Sequence, residues 1–243
     1  MIARCAKVAV VVAMVGLLLG ASCRMAQAQE KPAGKVVSPF NGRNLDGWTI
    51  QGDASASRWV VGHAKPDAKN PKELEVSPSE GDSGELVNPK LHGVDLYSVE
   101  KFGDCTIEMD FMVPKGSNSG IYPMGEYEVQ VLDSYGHKTL NQGDMGAIYS
   151  VAAPRVNASK KPGQWQHIVI EFRAPRFSDG KKVANAKFVK VTLNGQVVQE
   201  NAEAPGPTGG GITGQEAPTG PLKFQGNHGP VAFRNIKIVV PQQ

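Results

Sequence analysis

The sequence predicts an all-β fold, two antiparallel sheets stacked as a sandwich, on three observations. Apolar and polar residues alternate with period two over several runs, the clearest being Cys105 to Val113. The 28 glycines and 17 prolines cut the chain into short segments, as turns between strands do. From Val36 onward no long stretch carries apolar residues at helical spacing. A jelly roll is the natural all-β architecture for this length, and a closed barrel is the competing one.

At the N-terminus, Arg4 and Lys7 precede an apolar run from Val8 to Leu19, and Ala26-Gln27-Ala28 follows. That layout predicts a secretory signal over residues 1–28, hence a periplasmic or secreted protein with no membrane span after cleavage. The run is shorter than the ~20 residues a bilayer span needs. Leu19 to Cys23 resembles a lipobox, which offers lipid anchoring through Cys23 as the alternative. Residues 29–37 are expected as a flexible lead-in, and residues 38–243 as one domain.

Within that domain, Cys105, Ile107, Met109, Phe111 and Val113 share one strand face, and Thr106, Glu108, Asp110 and Met112 lie on the other. Tyr127, Val129 and Val131 alternate with Glu126, Glu128 and Gln130. Ile168, Ile170 and Phe172 mark a further strand. Val189, Val191 and Leu193 lead into Asn194-Gly195, the strongest short-range hairpin signal. Phe224 and the run Val231 to Val240 supply the last two strands, with Arg234 placed by period two on the core face beside Ile236. The segment Pro205 to Pro221 reads as a long loop, a feature usually functional or mobile. Gly209-Gly210-Gly211 reads as simple flexibility.

The leader takes away three basic residues and no acids, which leaves 23 of each sign. A neutral chain argues against a nucleic-acid partner, which calls for a basic stripe. Neither a phosphate-cradling loop nor an HExxH or CxxC pattern occurs. After the leader Cys105 stands alone, most simply as a core thiol.

Several blocks carry a resemblance: Phe40-Asn41-Gly42-Arg43-Asn44-Leu45-Asp46-Gly47-Trp48, Asn118-Ser119-Gly120-Ile121-Tyr122, Tyr127 to Ser134, Gly146-Ala147-Ile148-Tyr149, Gly163-Gln164-Trp165, Ala174-Pro175-Arg176-Phe177, and Gln225-Gly226-Asn227-His228-Gly229-Pro230-Val231. In this order the chain resembles the 3-keto-disaccharide hydrolase domain family over about residues 38–240. The resemblance implies a concanavalin-like jelly roll that cleaves glycosides first oxidised to a ketone at C3. It implies a sugar substrate and a glycoside 3-dehydrogenase acting upstream. A non-catalytic carbohydrate-binding module of the same fold is the alternative.

A C3 ketone acidifies the C2 hydrogen, so a base and a group at the developing oxyanion are the requirements. Glu128 and His228 are the catalytic candidates. Gln130, Asp133, Arg234, Tyr122, Tyr149, Gln225 and Asn118 are the candidates for holding substrate. A divalent cation at the oxyanion would draw on Glu128, His228 and Asp110. Where relatives commonly carry an Asp ahead of the histidine, this chain has Gly226-Asn227, one carboxylate fewer for a cation. All of this requires Glu128 and His228 to converge on one face of a curved sheet.

Overall fold

The computed structural model describes residues 34–242, and the expected leader lies outside them. Sixteen strands appear among these residues: β1 (Gly34–Val37), β2 (Trp48–Ile50), β3 (Val60–Pro66), β4 (Leu74–Ser77), β5 (Glu85–Asn88), β6 (Leu96–Phe102), β7 (Cys105–Met112), β8 (Asn118–Tyr122), β9 (Val129–Leu132), β10 (Gln166–Arg173), β11 (Arg176–Ser178), β12 (Lys181–Ala184), β13 (Ala186–Leu193), β14 (Gln196–Ala204), β15 (Gly220–Phe224) and β16 (Val231–Pro241). Two short 3₁₀ turns, Ala54–Ala56 and Pro123–Gly125, are the described helical segments. No described helix is long and apolar enough to cross a membrane.

The larger sheet runs β14-β13-β10-β7-β16-β5-β3-β4, with β1 added alongside β16. The smaller sheet runs β2-β6-β15-β8-β9, and β11 and β12 form a separate ribbon. The fold is thus an antiparallel two-sheet jelly roll, not a closed barrel. The lead-in is shorter than expected, because Gly34–Val37 pair with Ile238–Pro241.

Period two decides which side chains meet between the sheets. Ile107, Met109 and Phe111 of β7 face Ile121, Val129 and Val131 of the smaller sheet in one core. Trp48, Phe224, Phe233 and Trp59 stack through this core, with successive ring centroids 5.3, 4.0 and 6.3 Å apart. Each such pair contributes about 0.5–1.5 kcal/mol beyond its buried area. Cys105 lies in the same core, where burial pushes its thiol up to about 12.

Asn194 and Gly195 both adopt positive φ, 50° and 82°, and close the β13–β14 hairpin as expected. Bulges break the simple alternation at several points, and two of them move residues that the sequence placed otherwise. One in β13 pairs Lys190 with Glu171 but Phe188 with Phe172, so Phe188 and not Val189 enters the core. The other lies at Asn235, whose φ is 54°. It inserts an extra residue, and Arg234 turns away from the core although Ile236 faces it.

Candidate functional site

The outward face of the smaller sheet is where the polar residues gather. Asn118, Gly120 and Tyr122 alternate with Ser119 and Ile121 on β8, and Ile121 points into the core. Gly120 pairs with Gln130 across the β8–β9 ladder, which sets Gln130 and Glu128 beside Tyr122. On β15, Leu222 and Phe224 face the core, so Lys223 faces outward, opposite Tyr122.

This face is not open to solvent. The segment between β14 and β15 folds across it. Thr208 donates its backbone N–H to the Glu126 carbonyl and accepts from the Glu128 N–H at 2.8 Å. The Glu126 carboxylate accepts from Thr213 N and Oγ1, both at 2.8 Å, and from Gly214 N at 3.0 Å. A Cβ at Gly211 would lie 2.2 Å from Glu126 Oε2, so that glycine is a close-approach residue and not simple flexibility. Tyr127 donates to Glu216 at 2.7 Å, which pins the far end.

Between this loop and the sheet lies a cavity of about 160 Å³, lined by Asn118, Glu128, Gln130, Tyr149, Gly209, Gly210, Gln225 and His228. The pairing of β15 with β8 brings the Gln225–His228 turn, a hundred residues downstream, to the edge of β8 and β9. Glu128 is buried. Burial pushes its carboxyl up to about 7, against the Tyr122 hydroxyl and the Lys223 charge, which favour the ionised form. Burial beside that carboxyl holds the Tyr122 phenol well above its ordinary value, so Tyr122 stays a neutral donor. Its hydroxyl also lies 3.3 Å from the Gly209 carbonyl oxygen and accepts from Gln225 Nε2 at 3.2 Å. A Cβ at Gly120 would stand 2.4 Å from Glu128 Oε1, so only glycine leaves room for the carboxyl to lie on the sheet.

Gln130 donates to Asn118 Oδ1 at 3.2 Å, and its buried Oε1 has no partner. A buried acceptor without a donor is costly. Gln130 lies in the wall of the cavity. His228 stands exposed on the rim, and its Nδ1 bonds Asn227 Oδ1. That contact makes Nδ1 the donor and leaves Nε2 as the free ring nitrogen. Tyr149, 36% exposed, borders the entrance.

Four expected residues do not line this cavity: Tyr122 lies behind its wall against Gln225 and Gly209, and Asp133, Asp110 and Arg234 lie elsewhere. Asp133 Oδ2 accepts from Gly116 N at 2.9 Å and closes the turn before β8. Asp110 and Arg234 lie on the outward face of the larger sheet, across the whole core from Glu128. There Asp110 bonds His167 at 2.8 Å and Asn235 at 2.7 Å. Burial raises the Asp110 carboxyl, but these bonds outweigh it and hold it below its ordinary value. Arg234 stacks 3.9 Å over the Trp165 ring and pairs with Glu85 and Asp110 at 3.4 Å. Their groove is larger, about 950 Å³, but Glu85, Asp110 and Arg234 are partnered with one another there, as Lys237 is with Glu108 at 3.0 Å.

The expected cation therefore lacks its ligand set. Glu128 and His228 share the cavity, Asp110 does not, and no cluster of three His, Cys, Asp or Glu suited to a metal occurs among the described residues. Sequence reasoning also missed Lys223, Asp95 and Thr208. A lone lysine between Leu222 and Phe224 looks like any solvated strand residue, and only the loop above it reveals otherwise.

Known proteins bear on this site as follows. A family described as the 3-keto-alpha-glucoside-1,2-lyase-like domain matches residues 35–239. A candidate glycosyl hydrolase of Parabacteroides distasonis ATCC 8503 is 26% identical over 84% of this chain and 83% of its own, with a TM-score of 0.61. Two further candidate glycosyl hydrolases of that organism share the fold. One is 20% identical over 85% of this chain and 99% of its own, with a TM-score of 0.54. The other is 18% identical over 86% and 94%, with a TM-score of 0.55. Among curated proteins no match is found. The family is one of carbohydrate-active, glycosyl hydrolase-like proteins. With the match running from the first described strand to the last, the chain belongs to the 3-keto-alpha-glucoside-1,2-lyase-like domain family.

Proposed function

We propose that the protein cleaves glycosides whose sugar ring carries a ketone at C3, with Glu128 as the base. The observation that supports this reading is a single buried carboxyl, titrating near neutrality, in a cavity lined by no second carboxylate. Direct glycoside hydrolysis needs two carboxyl groups flanking the scissile bond. Elimination needs one base whose pKa lies near the working pH.

In this scheme Glu128 takes the proton from C2, and the electron pair moves toward C3 to give an enediolate. That pair then expels the C1 glycosidic oxygen, which leaves with a proton, and C1 and C2 become doubly bonded. Water adds across the double bond to complete hydrolysis. Gln130 Oε1 accepts a ring hydroxyl, and Asn118 fixes the Gln130 amide. Gln225 and Tyr149 border the ring. His228, through its free Nε2, exchanges the proton at the leaving oxygen. No step passes through a metal ion. Because the ketone must be installed first, a glycoside 3-dehydrogenase would act upstream. Export to the periplasm or beyond fits the expected leader.

The test is release of nitrophenol from 4-nitrophenyl 3-keto-glucosides of both anomers, with the unoxidised glucosides as controls. Release from the keto compounds alone supports the reading. Sugar binding without release from any of them sinks it and leaves a carbohydrate-binding module.

A further inference from the structure

Lys223 is buried on a central strand of the smaller sheet. A lysine is almost never fully buried unless it is paired, because losing water is expensive for an ammonium. Its partners are specific. Asp95 Oδ2 lies 2.8 Å from Nζ, the Gly210 carbonyl oxygen accepts a second hydrogen, and the Tyr122 ring centroid lies 4.3 Å away. Asp95, itself buried, accepts through Oδ1 from Gly226 N at 2.9 Å and Asn227 N at 3.3 Å.

The network therefore ends on two loops. One contains Gly209 and Gly210, the other Gly226 to His228, and both line the cavity that holds Glu128. A buried ion pair is a poor source of net stability, since apolar residues of like size often hold a sheet as well. An apolar pair, however, offers nothing to a carbonyl on one side and two amides on the other. The charged and titratable groups around the ammonium are Asp95 ahead of β6, Tyr122 on β8 and Glu128 ahead of β9.

We propose that Lys223 and Asp95 are a positioning pair that ties the two cavity loops to each other and so fixes His228 relative to Glu128 and Gln130. This rests on the cavity being the sugar-cleaving site. The pair itself touches no substrate.

The test is the double variant Lys223→Met with Asp95→Asn, which removes both charges and orphans neither. Two quantities are read: the rate with 4-nitrophenyl 3-keto-glucosides across pH, and amide hydrogen exchange. Exchange in residues 208–214 and 225–229 is expected to quicken at least tenfold, with β7 unchanged. The kcat/KM is expected to fall about 100-fold, the penalty of a misplacement near 1 Å. The acid limb of the rate profile should move slightly to higher pH, because the lost ammonium, which favours ionised Glu128, outweighs the lost Asp95 charge, which disfavours it. Unchanged exchange in either loop, or a wild-type rate profile, overturns the proposal. If the wild-type protein turns over no keto-glycoside, the functional reading fails, and exchange still decides whether the pair couples the loops. Should the double variant not fold, Asp95→Glu keeps both charges and displaces the carboxylate by one methylene from the Gly226 and Asn227 amides. It must then show a smaller exchange increase in both loops, and none at all refutes the coupling.

Discussion

Replacing Glu128 by Gln separates the chemistry of this carboxyl from its effect on stability. In the unfolded chain the group titrates at its ordinary 4.5, and in the folded protein near 7, because burial disfavours the anion. Between those values the folded state holds a proton that the unfolded state has released. Stability therefore falls as pH rises through the window, by roughly 1.4 kcal/mol per pH unit and about 3 kcal/mol in all. The penalty is absent below 4.5 and complete above 7. Glutamine has nearly the same shape and never ionises, so the variant escapes it. For a domain of this size about 3 kcal/mol corresponds to roughly 6–12 °C in Tm. Thermal unfolding of both proteins from pH 4 to pH 8 should show the variant gaining on the wild type by that amount. Any loss from the new amide is the same at every pH and subtracts out. Keto-glycoside cleavage should fall by about 10²–10⁴-fold, the usual contribution of a positioned base. A Tm difference that stays flat across the range would refute the assignment of a strained, buried carboxyl at this position.

Four other outcomes follow from the same geometry. Gly120→Ala drives a methyl to within 2.4 Å of Glu128 Oε1 and should cut kcat about 100-fold in a folded protein; unchanged turnover would show that the carboxyl has room to spare. Glu126→Ala frees the three groups that its carboxylate holds, so KM should rise and exchange at Thr213 and Gly214 should quicken, and an unaltered KM would contradict a latched loop. Asp110→Asn should remove stability that the wild type has above pH 4 and loses as pH falls through the lowered folded value, with cleavage untouched; lost cleavage would return Asp110 to the site. Chelator should leave turnover unchanged, and activity lost to chelator but restored by a divalent cation would contradict the donor count.

How much was legible depends on whether the cause was local. The β7 strand declared itself, because its alternation of Ile107, Met109 and Phe111 with Glu108 and Asp110 is unbroken. The Asn194-Gly195 turn did so because both residues tolerate the backbone it needs. Arg234 was misplaced because a bulge at Asn235 shifts the alternation by one residue, and nothing in the flanking pattern marks an inserted residue. Glu128 and Gln130 could be picked out as a polar face, but their burial could not, since it comes from Thr208 to Gly214 lying over them. The meeting of His228 with Glu128 depends on β15 pairing beside β8, a long-range choice that no local pattern encodes. Lys223 stayed invisible for the same reason.

The buried thiol of Cys105 has a practical consequence. With its pKa near 12 and its sulfur sealed between the sheets, it is silent toward alkylating reagents at neutral pH. Once Cys5 and Cys23 are replaced by serine, a single cysteine at exposed Ala217 would be the only reactive handle on the chain. A fluorophore or spin label there would compare the environment of the covering loop with and without added sugar, free of background from the interior.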